Sequence, residues 1–64
     1  MKKSADVLTA RERQIMLVVS EGSTNKEIGR RLSLAEGTVK AHLHNIFRKL
    51  GIANRTALAA LALS

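Results

Sequence analysis

Thr24-Asn25-Lys26-Glu27-Ile28-Gly29-Arg30-Arg31-Leu32, then Ser33-Leu34-Ala35, then Glu36-Gly37-Thr38-Val39-Lys40-Ala41-His42-Leu43-His44 is the stretch that decides the fold. It opens with Thr24 and Glu27, the capping-box spacing in which each side chain satisfies a free backbone N–H at a helix start. Ile28 and Leu32 are the apolar pair of the short helix that follows, predicted over Asn25 to Leu32. A second helix is predicted from Glu36 to Leu50, with Gly51 ending it. At 100° per residue, Val39, Leu43, Ile46, Phe47 and Leu50 share one face of that helix, and Gly37, Lys40, Ala41, His44 and Arg48 share the opposite one. The opposite face is basic, short in its side chains and free of acids. Three residues between two such helices is the length of a helix-turn-helix connection. Gly29 costs roughly 1 kcal/mol relative to alanine in mid-helix, and a close approach of another helix at that point would explain its use.

Outward from this pair, the pattern predicts two more helices. Thr9 and Glu12 repeat the capping-box spacing, and Ile15, Met16 and Val19 recur at helical spacing, giving a helix from about Ala10 to Glu21. Val7 or Leu8 is placed to staple onto its first turns, and Gly22 stands where a left-handed cap is expected. Asn54 is a good N-cap for a last helix over Arg55 to Leu63, in which Leu58 and Leu61 are read as core. Ala57, Ala59, Ala60, Ala62 and Leu63 leave that helix apolar nearly all round. The fold class is therefore all-α, a four-helix helix-turn-helix domain over residues 9–64, with residues 1–8 as an arm or linker.

Composition narrows the function. The chain has 64 residues, room for one domain with a small core. It has no cysteine, which excludes thiol chemistry and cysteine-based zinc sites and fits a reducing compartment. Eleven Lys and Arg against five Asp and Glu give a net charge of +6, and no acid lies beyond Glu36. Such a balance points to a polyanion partner, although a merely solvated basic surface has the same composition. Phe47 is the only aromatic residue, too few for stacking on single-stranded bases. No apolar run is long enough for a membrane span, and Met1-Lys2-Lys3-Ser4 lacks the apolar stretch of a signal peptide. There is no enzyme signature: no plausible His–carboxylate set and no Gly-rich phosphate loop. No cofactor or metal is implied, because His42 and His44, two apart on a helix, point in nearly opposite directions.

Leu8-Thr9-Ala10-Arg11-Glu12, Gly22, Asn25-Lys26-Glu27-Ile28, Glu36-Gly37-Thr38-Val39-Lys40-Ala41-His42, Lys49-Leu50-Gly51 and Arg55 resemble, in order and spacing, the DNA-binding domain of LuxR-type regulators, also the output domain of NarL/FixJ-type response regulators. The resemblance covers residues 8–62. It implies a bacterial, cytoplasmic and nucleoid-associated transcription regulator that binds double-stranded DNA as a dimer, the third helix in the major groove and the fourth forming the dimer contact, with RNA polymerase as a further partner. It implies that Lys40 contacts base edges or nearby phosphate, that Thr38 and His42 support backbone contacts or helix positioning, and that Asn25 and Lys26 lie near a phosphate strand. Glu12 would tie the first helix to its neighbours. Two residues depart from the pattern: Ala35 stands where Ser or Thr is usual, so the third helix lacks a side-chain cap, and Gly29 stands where Ala is usual.

From the residues themselves, Lys40, Ala41 and His44 are the base-reading candidates. Lysine donates to guanine O6 and N7, and a methyl group meets the thymine methyl. Lys26, Arg30, Arg31, Arg48 and Lys49 are candidates for phosphate contacts, which give affinity without sequence choice. Ala59, Ala62 and Leu63 are the dimerisation candidates, small enough for a partner helix to come close. Three alternatives stand beside this reading. A sigma-factor-like promoter-binding region shares the Leu8-Thr9-x-Arg11-Glu12 opening, but the Thr38-Val39-Lys40-x-His42 run favours the regulator. A cationic helical protein at membrane surfaces is opposed by the two capping boxes, which belong to a folded domain. A helical adaptor that binds only protein would give no duplex binding.

Overall fold

The computed structural model describes residues 7–63, with Leu63 as backbone only. The expected arm therefore falls outside it except for Val7 and Leu8. Four helices follow one another: α1 (Ala10–Ser20), α2 (Asn25–Leu32), α3 (Glu36–Leu50) and α4 (Arg55–Leu63). There is no strand among the described residues. α1 packs on α4, α2 on α3, and α1 also touches both α2 and α3.

The helix starts are where local chemistry requires them. Thr9 Oγ1 accepts from the Glu12 N–H at 3.1 Å while Glu12 Oε1 accepts from the Thr9 N–H at 2.9 Å. The same reciprocal pair forms between Thr24 and Glu27, at 3.1 and 2.8 Å. Asn54 Oδ1 accepts from the Ala57 N–H at 2.8 Å and caps α4. Only α3 begins without a side-chain cap, as Ala35 predicted. α1 ends at Ser20 and not Glu21, because Gly22 at φ +88° turns the chain and its N–H reaches back to the Val19 carbonyl. α3 ends in a Schellman motif: Gly51 sits at φ +67°, its N–H on the Arg48 carbonyl, and the Ile52 N–H on the Phe47 carbonyl.

The core holds Leu8, Ile15, Met16, Val18, Val19, Ile28, Val39, Leu43, Ile46 and Leu58, all below a tenth exposed. Each such side chain is worth about 1.5–3 kcal/mol when buried. Leu8, and not Val7, is the residue tucked under α1; Val7 is exposed. Leu61, expected in the core, is 37% exposed instead. An Ala/Leu helix has no polar face to mark its orientation, so the pattern alone could not say which leucine turns inward.

The α2–α3 turn is tighter than the glycine alone suggests. A Cβ on Gly29 would lie 2.5 Å from the Leu34 carbonyl oxygen and 3.6 Å from a Val39 methyl. The close neighbour is thus backbone of the turn rather than another helix. Ser33 caps α2 in the left-handed region at φ +59°, the one non-glycine with positive φ among the described residues. L-residues reach that region at a cost of roughly 1–2 kcal/mol, which glycine avoids. Ser33→Gly is therefore expected to raise stability by about 1 kcal/mol, read as a higher urea midpoint at unchanged slope. An unchanged or lower midpoint would show that Ser33 is not strained.

Candidate nucleic-acid interface

α3 is held by its apolar side. Val39, Leu43 and Ile46 are buried, and Phe47 and Leu50 are half-buried against the same core. The opposite side is left uncovered: Gly37, Thr38, Lys40, Ala41, His44 and Arg48 are all exposed. Three base-reading candidates, Lys40, Ala41 and His44, therefore lie on one surface with Arg48 following one turn after His44. His42 sits apart from them, half-buried on the flank of α3. Lys26 is exposed and Asn25 half-buried at the start of α2. Asn45, which the sequence did not single out, is exposed on the same outward side, one turn after Ala41, and lines a hollow of about 200 Å³ with Arg48 and Lys49. Its position on the wheel, between Ala41 and Lys49, was the available signal.

The α2 start, α3 and the α4 start enclose a shallow groove of about 250 Å³ that includes Asn25, Lys40, His44 and Arg55, with Leu43 and Phe47 as its apolar part. Arg55 is the strut of this corner. Its Nη1 donates to Asn25 Oδ1 at 2.6 Å and its Nη2 donates to the Ser23 carbonyl.

Charge is distributed unevenly between structure and surface. Two candidate phosphate ligands are engaged. Lys49 Nζ lies 2.7 Å from Glu12 Oε1, and Arg31 Nη1 lies 2.7 Å from Glu21 Oε1. Lys49 is thereby a link between α3 and α1, while its side chain stays partly exposed. The Arg31–Glu21 pair is exposed on both sides, contributes little, and can open. Lys26, Arg30, Lys40 and Arg48 have no ion-pair partner among the described residues.

Among the described residues Glu12 is the one buried charged side chain, 4% exposed. Burial pushes its carboxyl up, but the hydrogen bond from Lys49, the Thr9 N–H and the Lys49 charge together hold it below the usual glutamate value. The native state then binds fewer protons than the unfolded chain through this range. The associated stability is present above the ordinary glutamate pKa of about 4.3 and is lost as pH falls through the lower native value. Glu12→Gln is expected to be less stable than the parent at pH 7 and to approach it by pH 3. A gap between the two urea midpoints that stays constant over this range would contradict the assignment.

On α4, Ala59 and Ala62 lean against the core, half-buried, and the Leu63 side chain lies outside the described residues. The exposed residues of this helix are Thr56, Ala60 and Leu61. A partner helix approaching from outside would meet these before it met Ala59 or Ala62.

Among the described residues no helix is long and apolar enough to cross a membrane, and no cluster of His, Asp or Glu is arranged to hold a metal ion.

Comparison with known proteins places this arrangement in context. Residues 6–62 match the family model described as bacterial regulatory proteins, luxR family. The monoamine regulon transcriptional regulator of Klebsiella aerogenes is 52% identical over 52 residues, 81% of this chain and 23% of that protein. The transcriptional regulatory protein LiaR of Bacillus subtilis is 47% identical over 55 residues, 86% of this chain and 26% of that protein. The CsgBAC operon transcriptional regulatory protein of Escherichia coli is 46% identical over 50 residues, 78% of this chain and 23% of that protein. The chain thus spans about a quarter of the length of these relatives.

Proposed function

The chain belongs to the luxR family of bacterial regulatory proteins, and from that premise we propose that it binds double-stranded DNA in a sequence-specific way to regulate transcription. Residues 9–64 are the DNA-binding module and residues 1–8 an arm or linker. The reading is carried by one observation: α3 leaves Lys40, Ala41, His44 and Arg48 uncovered on one basic surface, with no acid in the helix after Glu36. The major groove admits a helix of this shape, and in a helix-turn-helix the second helix lies in it while the first crosses the backbone. Lys40, Ala41 and His44 read base edges; Asn25, Lys26, Thr38, His42 and Arg48 serve the phosphates or hold the helix in register.

The protein acts as a homodimer on two half-sites, through α4, and by recruiting or obstructing RNA polymerase rather than by chemistry of its own. Its place of work is the bacterial cytoplasm, at the nucleoid, because that is where its ligand is. The family match favours this over a sigma-factor-like promoter region. Selection of bound sequences from a random duplex pool tests the proposal. Enrichment of a motif repeated as two related half-sites is expected. Enrichment of no motif would overturn sequence-specific binding, and a single unrepeated motif would overturn the dimer.

A further inference from the structure

The corner where α2, α3 and α4 meet contains an amide whose orientation is chemically determined. Asn25 offers one acceptor oxygen and one NH2 donor group, and the two are otherwise hard to tell apart. Arg55 settles the choice, because a guanidinium has donors only. The amide atom 2.6 Å from Arg55 Nη1 must therefore be the oxygen. The second bond of Arg55, to the Ser23 carbonyl, fixes the guanidinium itself to the chain just before α2. Both acceptors are neutral, and Arg55 has no carboxylate partner among the described residues. Asn25 thus has its oxygen held by Arg55 and its NH2 group turned to the other side, in a groove whose other polar walls are Lys40, His44 and Arg55. Of the polar side chains that line it, Lys40 and Arg55 are cationic and the Asn25 NH2 group donates.

We propose that Arg55 is a positioning residue for DNA binding: by holding the Asn25 oxygen it presents the Asn25 NH2 group to a phosphate oxygen of the strand that passes this groove. The inference rests on the DNA-binding reading above and adds a role for a residue of α4 in binding through α2. Hydrogen bonds to a charged acceptor are worth enough to move affinity by an order of magnitude or more.

The test uses the 64-residue chain and duplexes enriched from the random pool, with binding read by fluorescence anisotropy well below the melting temperature of every variant. Asn25→Asp keeps an acceptor for Arg55 and removes the donors. It is expected to melt no lower than the parent and to bind duplex at least about tenfold more weakly. Arg55→Lys keeps the charge and loses the two-pronged hold. It is expected to weaken binding by about as much as Asn25→Ala, and the double variant is expected to bind no worse than the weaker single one. Asn25→Asp with parental affinity, or losses from Arg55→Lys and Asn25→Ala that multiply, would overturn the positioning role while leaving DNA binding intact. If the parent chain itself binds no duplex, the functional reading fails first.

Discussion

Gly29→Val is expected to lower the melting temperature by more than about 10 °C and to weaken duplex binding in parallel. The reason is local. The position has no room for a first side-chain carbon, because the Leu34 carbonyl would stand 2.5 Å from it. That oxygen belongs to the backbone of the turn, so relief requires the turn to move away from α2, and two further methyl groups must then be housed beside Val39. Overpacking of this kind costs about 1–3 kcal/mol or more. A domain of this size has only about 3–10 kcal/mol in all, and each kcal/mol is worth about 4–8 °C. Binding suffers because the turn sets the angle at which α3 leaves α2. Gly37 provides the contrast: it is helical too, but nothing lies within 4 Å of a Cβ there, so the same change should leave the melting temperature nearly unaltered. Thermal melts of both variants decide it; an equal shift in the two would remove the turn from the explanation.

Lys40→Ala is expected to cost about 1–3 kcal/mol of discrimination at one base position, the value of one good base contact. Lys40 lies in the N-terminal part of α3, where helix-turn-helix proteins touch base edges, and it is exposed without an ion-pair partner among the described residues. The measurement is affinity for the selected site and for single-base variants of it. Loss confined to one position identifies a base contact. Equal loss for all sequences would reassign Lys40 to phosphate. Lys49→Ala should change neither pattern strongly, since that ammonium is turned toward Glu12, and its effect should appear in stability.

What could be read without coordinates follows the range of the forces involved. Helices α2, α3 and α4 begin and end where expected because their limits are written in neighbours three or four residues apart: Thr24 with Glu27, Asn54 with Ala57, Gly51 after Leu50. The uncovered side of α3 was legible from the wheel for the same reason. Ser33 was not, since nothing in its side chain announces a left-handed backbone. Leu61 was misplaced because an Ala/Leu helix has no contrast between faces. The links of Glu12 to Lys49 and of Asn25 to Arg55 join residues 37 and 30 positions apart. Such pairs are chosen by packing and leave no local mark; for Glu12 only the family pattern hinted at a tie.

The pairing of Lys49 with Glu12 also bears on how many counterions the protein can displace. The net charge of +6 already subtracts Glu12, the buried carboxylate that pairs with Lys49, so the cations left to meet a polyanion are those without such a partner. The four unpaired cations on α2 and α3 would release condensed ions with a log–log exponent of about −3.6 per subunit. Arg31 joins them only by letting go of Glu21. For the proposed dimer the exponent doubles to about −7, so binding to DNA is expected to weaken steeply as ionic strength rises.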